Sequence, residues 1–159
     1  MKAMGFSLAM LLLFFASIKP LWAPVNKGWC RSQAAAAVAA NLSFGDFATT
    51  DFGIVDVSSS GVRGSSGSIV LMGGTVSAAV FNLTGCANHV YSIVLPPTTP
   101  ITAGTATMNI TSWQSTPNGS GALDAAGAGT LSLGAFLNVN TGQVSGAYTG
   151  TFTVELVFQ

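Results

Sequence analysis

The sequence predicts an all-β protein built as a sandwich of antiparallel sheets, and three observations support that fold class. Short apolar stretches separated by Gly, Ser, Asn and Pro recur along residues 41–159, which is typical of sandwich strands. The 19 glycines and the charged fraction of 6% disfavour helices, which favour Lys and Glu on their exposed faces. The last residues alternate between apolar and polar with a period of two. A hydrophobic fraction of 49% is enough for one core, so we expect a single folded domain.

Residues 1–23 are predicted to be an export signal. Lys2 precedes an uncharged apolar run at 5–18, which suits a signal peptide and is short for a membrane span. Lys19 and Pro20 interrupt the run, which disfavours the alternative of an uncleaved anchor. Cleavage after Ala23 would leave three basic and five acidic residues, a net charge of −2. That balance excludes a nucleic-acid partner, because no basic surface would neutralise phosphates.

Residues 24–40 are predicted to form an N-terminal arm. The stretch from Ala34 to Ala40 is alanine apart from Val38, which by propensity alone favours a helix. Val38 and Ala40 share a parity with Leu42, so the arm also fits an extended donor strand. The sequence leaves both conformations open.

One of the two cysteines, Cys30, lies in this arm, and the other, Cys86, lies in the folded domain. Cys30 and Cys86 both survive cleavage after Ala23, and in an oxidising compartment they could form a disulfide. The alternative is a longer leader that removes Cys30 and leaves Cys86 as a buried free thiol.

The folded domain is predicted to span residues 41–159. We expect one face of each strand to point into the core. The predicted strands lie near residues 41–47, 53–58, 67–73, 77–85, 89–96, 106–113, 128–139 and 146–158. Two polar segments, at residues 61–67 and 115–121, are predicted to be surface turns.

The terminal segment is the strongest strand prediction. Its apolar residues fall on one parity and threonines dominate the other, so one face can be core and the other solvated. The predicted assembly strand comprises Gly146, Tyr148, Phe152, Val154, Leu156 and Phe158. An unpaired edge on such a strand would invite association.

This segment resembles the C-terminal signature of subunits assembled by the bacterial chaperone-usher pathway. Gly146 is fourteenth from the end and Phe158 is penultimate, with alternating apolar residues between them. The resemblance implies that a periplasmic chaperone recognises the strand by strand addition. The alternative is an ordinary terminal strand of a secreted sandwich.

The wider chain resembles the domain of unknown function 4402 family of secreted, pilin-like bacterial β-domains. The motifs that carry this resemblance are LSFG at 42–45, GSIVL at 67–71, AVFNLTG at 79–85, YSIVLP at 91–96, GTLSLG at 129–134 and GAYTGTFTV at 146–154. It implies an immunoglobulin-like sandwich of the fimbrial-subunit type, in which a neighbour's N-terminal arm fills a groove. This chain departs from the pattern before Leu42, where alanines replace the large apolar residues expected of a donor arm.

Catalytic and metal-binding patterns are sparse. His89 is the single histidine, and the sequence has no G-x-S-x-G motif before a helix that could supply a nucleophilic serine for it. We therefore expect the protein not to be an enzyme. Asp46, Asp51 and Asp56 lack the spacing of an EF-hand loop, and we expect neither a metal nor a cofactor, with a surface calcium site as the weaker alternative. Trp113 and Gln114 could contact a glycan, although a lone Trp at a strand end is more often packed in the core.

Together these patterns predict an exported, non-enzymatic subunit of a surface fimbria. We expect it to pass through the periplasm to the cell surface or the extracellular space, with a chaperone and an outer-membrane usher as partners. The alternative is a self-complete adhesin that binds glycans through the loops at 61–67 and 113–121. An enzyme that depends on His89 is the third hypothesis.

Overall fold

Strands are the only regular elements in the part of the chain that the structure describes. The computed structural model describes residues 7–8 and 16–20, by their strand pairing, and residues 35–159. The strands are β1 (Ser7–Leu8), β2 (Ala16–Pro20), β3 (Ala35–Ala40), β4 (Ser43–Phe44), β5 (Phe47–Val57), β6 (Arg63–Leu71), β7 (Val76–Ser77), β8 (Ala79–Thr84), β9 (Val90–Val94), β10 (Thr99–Ala103), β11 (Ala106–Thr116), β12 (Ser120–Ala122), β13 (Ala128–Val139) and β14 (Phe152–Phe158). The all-β class predicted from the sequence is confirmed. Within these residues, no helix is both long and apolar enough to cross a membrane.

The long strand β13 organises the larger, eight-stranded sheet. One of its edges pairs with β11, and β10 lies beyond β11. Its other edge pairs first with β8 and then with β5. On its far side β8 pairs with β3, and β5 pairs with β6. The short β1 also pairs with β5. A curled sheet results, because two different strands share one edge of β13.

The second sheet has the order β12–β9–β14–β2, and β4 and β7 form a separate two-stranded pair. Among the described strands, every pairing is antiparallel except that of β14 with β2, which is parallel. The terminal strand therefore lies in the smaller sheet, between β9 and a strand from the predicted export signal.

Gly134 marks the point at which β13 changes partners. The β8 ladder ends at Leu133 and the β5 ladder begins at Ala135. A Cβ placed on Gly134 would lie 2.2 Å from the carbonyl oxygen of Val57. Only glycine allows the backbones to approach this closely.

The core forms where the inward faces of the strands meet. Alternate residues of β8 and β14 are buried, as period-two patterning requires. β11 and β13 also alternate, except at the irregularity after Thr111 and at Leu133–Ala135, where β13 changes partners. The largest fully buried side chains are Tyr91, Tyr148, Phe44, Phe47, Phe81, Leu42, Leu83, Ile101, Met108, Ile110 and Leu123.

Two sequence expectations about strand extent are wrong. The terminal strand begins at Phe152 instead of residue 146, because Thr149 bridges Thr102 of β10 and the chain then crosses to the other sheet at Gly150. The predicted turn at 61–67 belongs largely to β6. β9 ends at Val94, before Pro96 and Pro97, and the next strand, β10, contains Pro100, which is tolerated because β10 is an edge strand.

Candidate functional site

The outer edge of β14 is the candidate site. On one side β14 pairs with β9, from Glu155 opposite Val94 to Phe158 opposite Tyr91. On the other side it pairs in parallel with β2, over residues 152–156 against 16–20. Within residues 35–159, β9 is the only strand in a ladder with β14. Removal of residues 1–23 would therefore take away the strand that pairs with residues 152–156 along this edge.

The position of β2 extends the site toward the larger sheet. β2 lies beside β14 and also approaches β3, which is the outermost strand next to β8. A segment in the position of β2 therefore lies between an edge of one sheet and an edge of the other.

The apolar row of β14 packs into the core. In the full chain Phe152, Val154 and Leu156 are 4%, 0% and 2% exposed. The ring of Phe152 meets Phe81 edge to face at 6.3 Å and tilts against Trp113 at 4.6 Å. These contacts hold β14 in place, so what its outer edge offers a partner is mainly backbone hydrogen-bonding groups.

The other residues of the predicted assembly strand lie at the end of β14 or before its start. Phe158 is half-buried, with its ring 5.5 Å from that of Tyr91. Tyr148 is fully buried, and its hydroxyl donates to the carbonyl of Val144 at 2.6 Å and accepts from Nε2 of Gln143 at 2.7 Å. Gly146 lies in the turn that this hydroxyl closes.

Residues 35–40 of the predicted donor arm lie along the larger sheet as an extended strand, not a helix; residues 24–34 lie outside the described part of the chain. β3 pairs antiparallel with β8, with an irregularity between Val38 and Ala40. Val38 is 45% exposed, and only Ala36 and Ala40 of the strand are partly buried. The side chains of β3 therefore bury little apolar area, and backbone hydrogen bonds supply most of its attachment.

Trp113 and Gln114 lie on opposite faces of β11. The indole of Trp113 is 9% exposed, and its Nε1 donates to the carbonyl of Pro97 at 3.2 Å. Gln114 faces solvent. The structure therefore does not bring the two side chains together as one glycan platform.

The remaining sequence candidates are dispersed. Cys86 is half-buried between β8 and β9, and Cys30 lies outside the described residues, so their disulfide stays a prediction. The backbone of His89 is tied to Cys86 and Leu123 by hydrogen bonds. Among the described residues, no group of three or more His, Cys, Asp or Glu side chains is placed to hold a metal ion.

Comparison with known proteins adds one finding. A family model described as Domain of unknown function (DUF4402) matches residues 35–158, a range that includes β3 and ends within the terminal strand. Searches of curated proteins and of solved structures gave no match.

Proposed function

This chain belongs to the DUF4402 family, and we propose that it is an exported structural subunit of a bacterial surface fimbria, assembled by strand donation between subunits. The observation that carries the proposal is the pairing of β14 with β2, because its partner comes from the segment that export would remove. The proposal gives the protein no enzymatic activity.

Strand addition at this edge supplies affinity through main-chain hydrogen bonds. Residues 152–156 can pair with an incoming strand, and the position of β2 beside both β14 and β3 supports a place for it between the two sheets. Alternate side chains of that strand would face the core, and their fit would determine which partner binds. An edge left open on a mature subunit favours capture by a chaperone before assembly and by a neighbouring subunit at the usher.

The fold that we propose for the subunit is immunoglobulin-like. The hydrogen bond from the buried Tyr148 hydroxyl to Val144, four residues upstream and shortly before the terminal strand, supports it. Immunoglobulin-like sandwiches contain a buried tyrosine with a similar bond to the backbone a few residues upstream, although there it lies at the start of strand F.

The donated segment is proposed to be the arm at residues 24–40. In the single chain its last part is β3, so donation of Val38 and Ala40 requires β3 to leave β8. The small side-chain burial of β3 supports exchange at low cost, because few apolar contacts are lost.

Hydrogen exchange tests the proposal directly. We expect the amides of residues 152–156 that face away from β9 to be protected in the precursor, unprotected in an isolated chain that begins at residue 24, and protected again in the assembled state. A chain that also lacks residues 24–40 should not assemble.

The same experiment can also exclude strand donation at β14. If the chain that begins at residue 24 stays monomeric at high concentration, with all of those amides protected and no response to a co-expressed chaperone, strand donation at β14 is excluded.

A further inference from the structure

A three-residue excursion from β5 forms a second surface feature, separate from β14. In the β5–β6 ladder Thr49 pairs with Ile69 and Gly53 pairs with Gly67, so residues 50–52 stand opposite Ser68 alone. All three are exposed, and the side chain of Phe52 is 63% exposed. The excursion therefore presents an aromatic ring to solvent instead of to the core.

Hydrogen bonds hold the excursion in one conformation. The amide of Asp51 donates to Oγ of Ser68 at 3.0 Å, and that hydroxyl donates to the carbonyl of Phe52 at 2.9 Å. Oγ1 of Thr49 donates to the carbonyl of Asp51. Oγ1 of Thr141, from the turn after β13, donates to Oδ1 of Asp51 at 2.6 Å. Ring and carboxylate thus sit on a backbone that is fixed before any ligand arrives.

Two glycines, Gly53 and Gly67, allow the backbones of β5 and β6 to approach closely beside the excursion. Gly67 has a φ of +75°, and a Cβ on it would lie 2.8 Å from both Cα of Gly53 and the carbonyl oxygen of Phe52. A Cβ on Gly53 would lie 2.5 Å from Cγ1 of Ile69. The two backbones meet closely here, which expels residues 50–52 from the ladder.

The chemistry of the excursion fits a neutral carbohydrate. An exposed aromatic face stacks on the apolar face of a pyranose, and a carboxylate accepts hydrogen bonds from the sugar hydroxyls. Thr50 and Thr141 add hydroxyl groups beside them. Asp51 is an acid, and Arg63, the one Lys or Arg within residues 35–159, binds backbone carbonyls. The surface therefore disfavours sialylated or sulfated glycans.

We propose that Phe52 and Asp51 form a binding site for neutral glycans on the outer surface of β5. The site lies on a different sheet from β14, so it functions whether or not the protein assembles by strand donation. Each subunit of a filament would carry one copy, and many weak sites on one filament would bind a glycan-coated surface with high avidity.

The test uses the protein as the expressing cell exports it. The probe is an array of immobilised hexose and N-acetylhexosamine oligosaccharides, neutral and sialylated. We expect binding to neutral members in preference to sialylated ones. Phe52→Ala should weaken binding about tenfold and Phe52→Trp should retain it, because the indole also stacks. Asp51→Asn, which can still accept the Thr141 hydrogen bond, should weaken it less.

Val62→Ala is the matched control, since Val62 is 66% exposed on the loop between β5 and β6 and should not affect binding. Melting temperature should be unchanged in Phe52→Ala, because most of the ring is in water. Absence of binding to every neutral glycan, equal binding by Phe52→Ala and the original protein, or a large fall in the melting temperature of Phe52→Ala would each overturn the proposal.

Discussion

Arg63 joins two segments that are remote in sequence. Its guanidinium donates to the carbonyls of Phe44 at 3.0 Å and Asp46 at 3.1 Å, and on the other side to the carbonyl of Met72. A planar group with five N–H donors can satisfy several carbonyl oxygens at once, which an ammonium cannot. The sequence places Arg63 in a surface loop, and only the tertiary contacts reveal its structural role.

Replacing Arg63 tests that role. We expect Arg63→Ala to lower the free energy of unfolding by about 2 kcal/mol, because partly buried carbonyls lose a charged donor. Arg63→Lys should recover only part of the loss. Denaturant titration of the three proteins measures both effects, and an alanine variant as stable as the original would contradict this interpretation.

Tyr91 is expected to make the unfolding free energy of the protein fall at alkaline pH. Burial disfavours the phenolate and raises the pKa of Tyr91 above its ordinary value. The contribution to stability is therefore fully present below about pH 10, the ordinary pKa of tyrosine, and is lost as the pH rises through the folded-state pKa. We expect Tyr91→Phe to show a smaller fall in unfolding free energy across this window, as measured by denaturant titration at each pH. Equal falls in the two proteins would contradict the prediction.

At the scale of a strand, β13 depends on Gly134. The Cβ of an alanine there would meet the carbonyl oxygen of Val57 at 2.2 Å, where β13 passes from β8 to β5. We expect Gly134→Ala to cost about 3 kcal/mol in unfolding free energy, because the two backbones must separate. Gly73→Ala is the matched control, since a Cβ on Gly73 would meet nothing within 4 Å. Similar losses in both variants would show that the close approach is unimportant.

The terminal strand is fixed by its alternate side chains. Phe152 packs between Phe81 and Trp113, so Phe152→Ala should cost about 3–5 kcal/mol through loss of buried area and formation of a cavity. Its neighbour Thr153 faces solvent, and Thr153→Ala should have an effect of about 0.5 kcal/mol or less. Thermal or denaturant unfolding distinguishes the two, and equal effects would show that the row is not part of the core.

At the scale of the whole molecule, the proposed acceptor edge makes stability depend on an occupant. A chain that begins at residue 24 lacks β2, and a peptide that copies residues 14–22 should bind it and raise its melting temperature in proportion to the logarithm of peptide concentration above the Kd. A peptide of the same composition in scrambled order is the control. If neither peptide shifts the melting temperature, the place of β2 is not a binding site for a separate strand.

Much of the fold class could be predicted from local patterns. The period-two alternation of Phe152, Val154 and Leu156 predicted their burial, and the spacing of apolar stretches predicted an all-β chain. The alanine arm was ambiguous, because alanine favours a helix by propensity and takes the extended form here only where β8 offers an edge. Propensity is a weak prior that tertiary pairing overrides.

The candidate sites could be predicted only in part. The terminal segment can be predicted from its own residues, but its start at Phe152 cannot, because the crossing at Gly150 depends on β10. The excursion at Asp51 and Phe52 is not predicted by any local pattern. Its one sequence signal is a pair of glycines, Gly53 and Gly67, that lie far apart along the chain and meet only in the β5–β6 ladder.

The sequence by itself determined the all-β class and which face of the terminal strand would be buried. These properties follow from the alternation of residues two apart, which needs no knowledge of the rest of the chain. Only the tertiary structure decided which strand lies on each edge: β9 and β2 beside β14, β3 beside β8, and β8 and β5 in succession along β13. Edge pairing joins backbones that are distant in sequence, and since every backbone carries the same donors and acceptors, no local pattern names its partner.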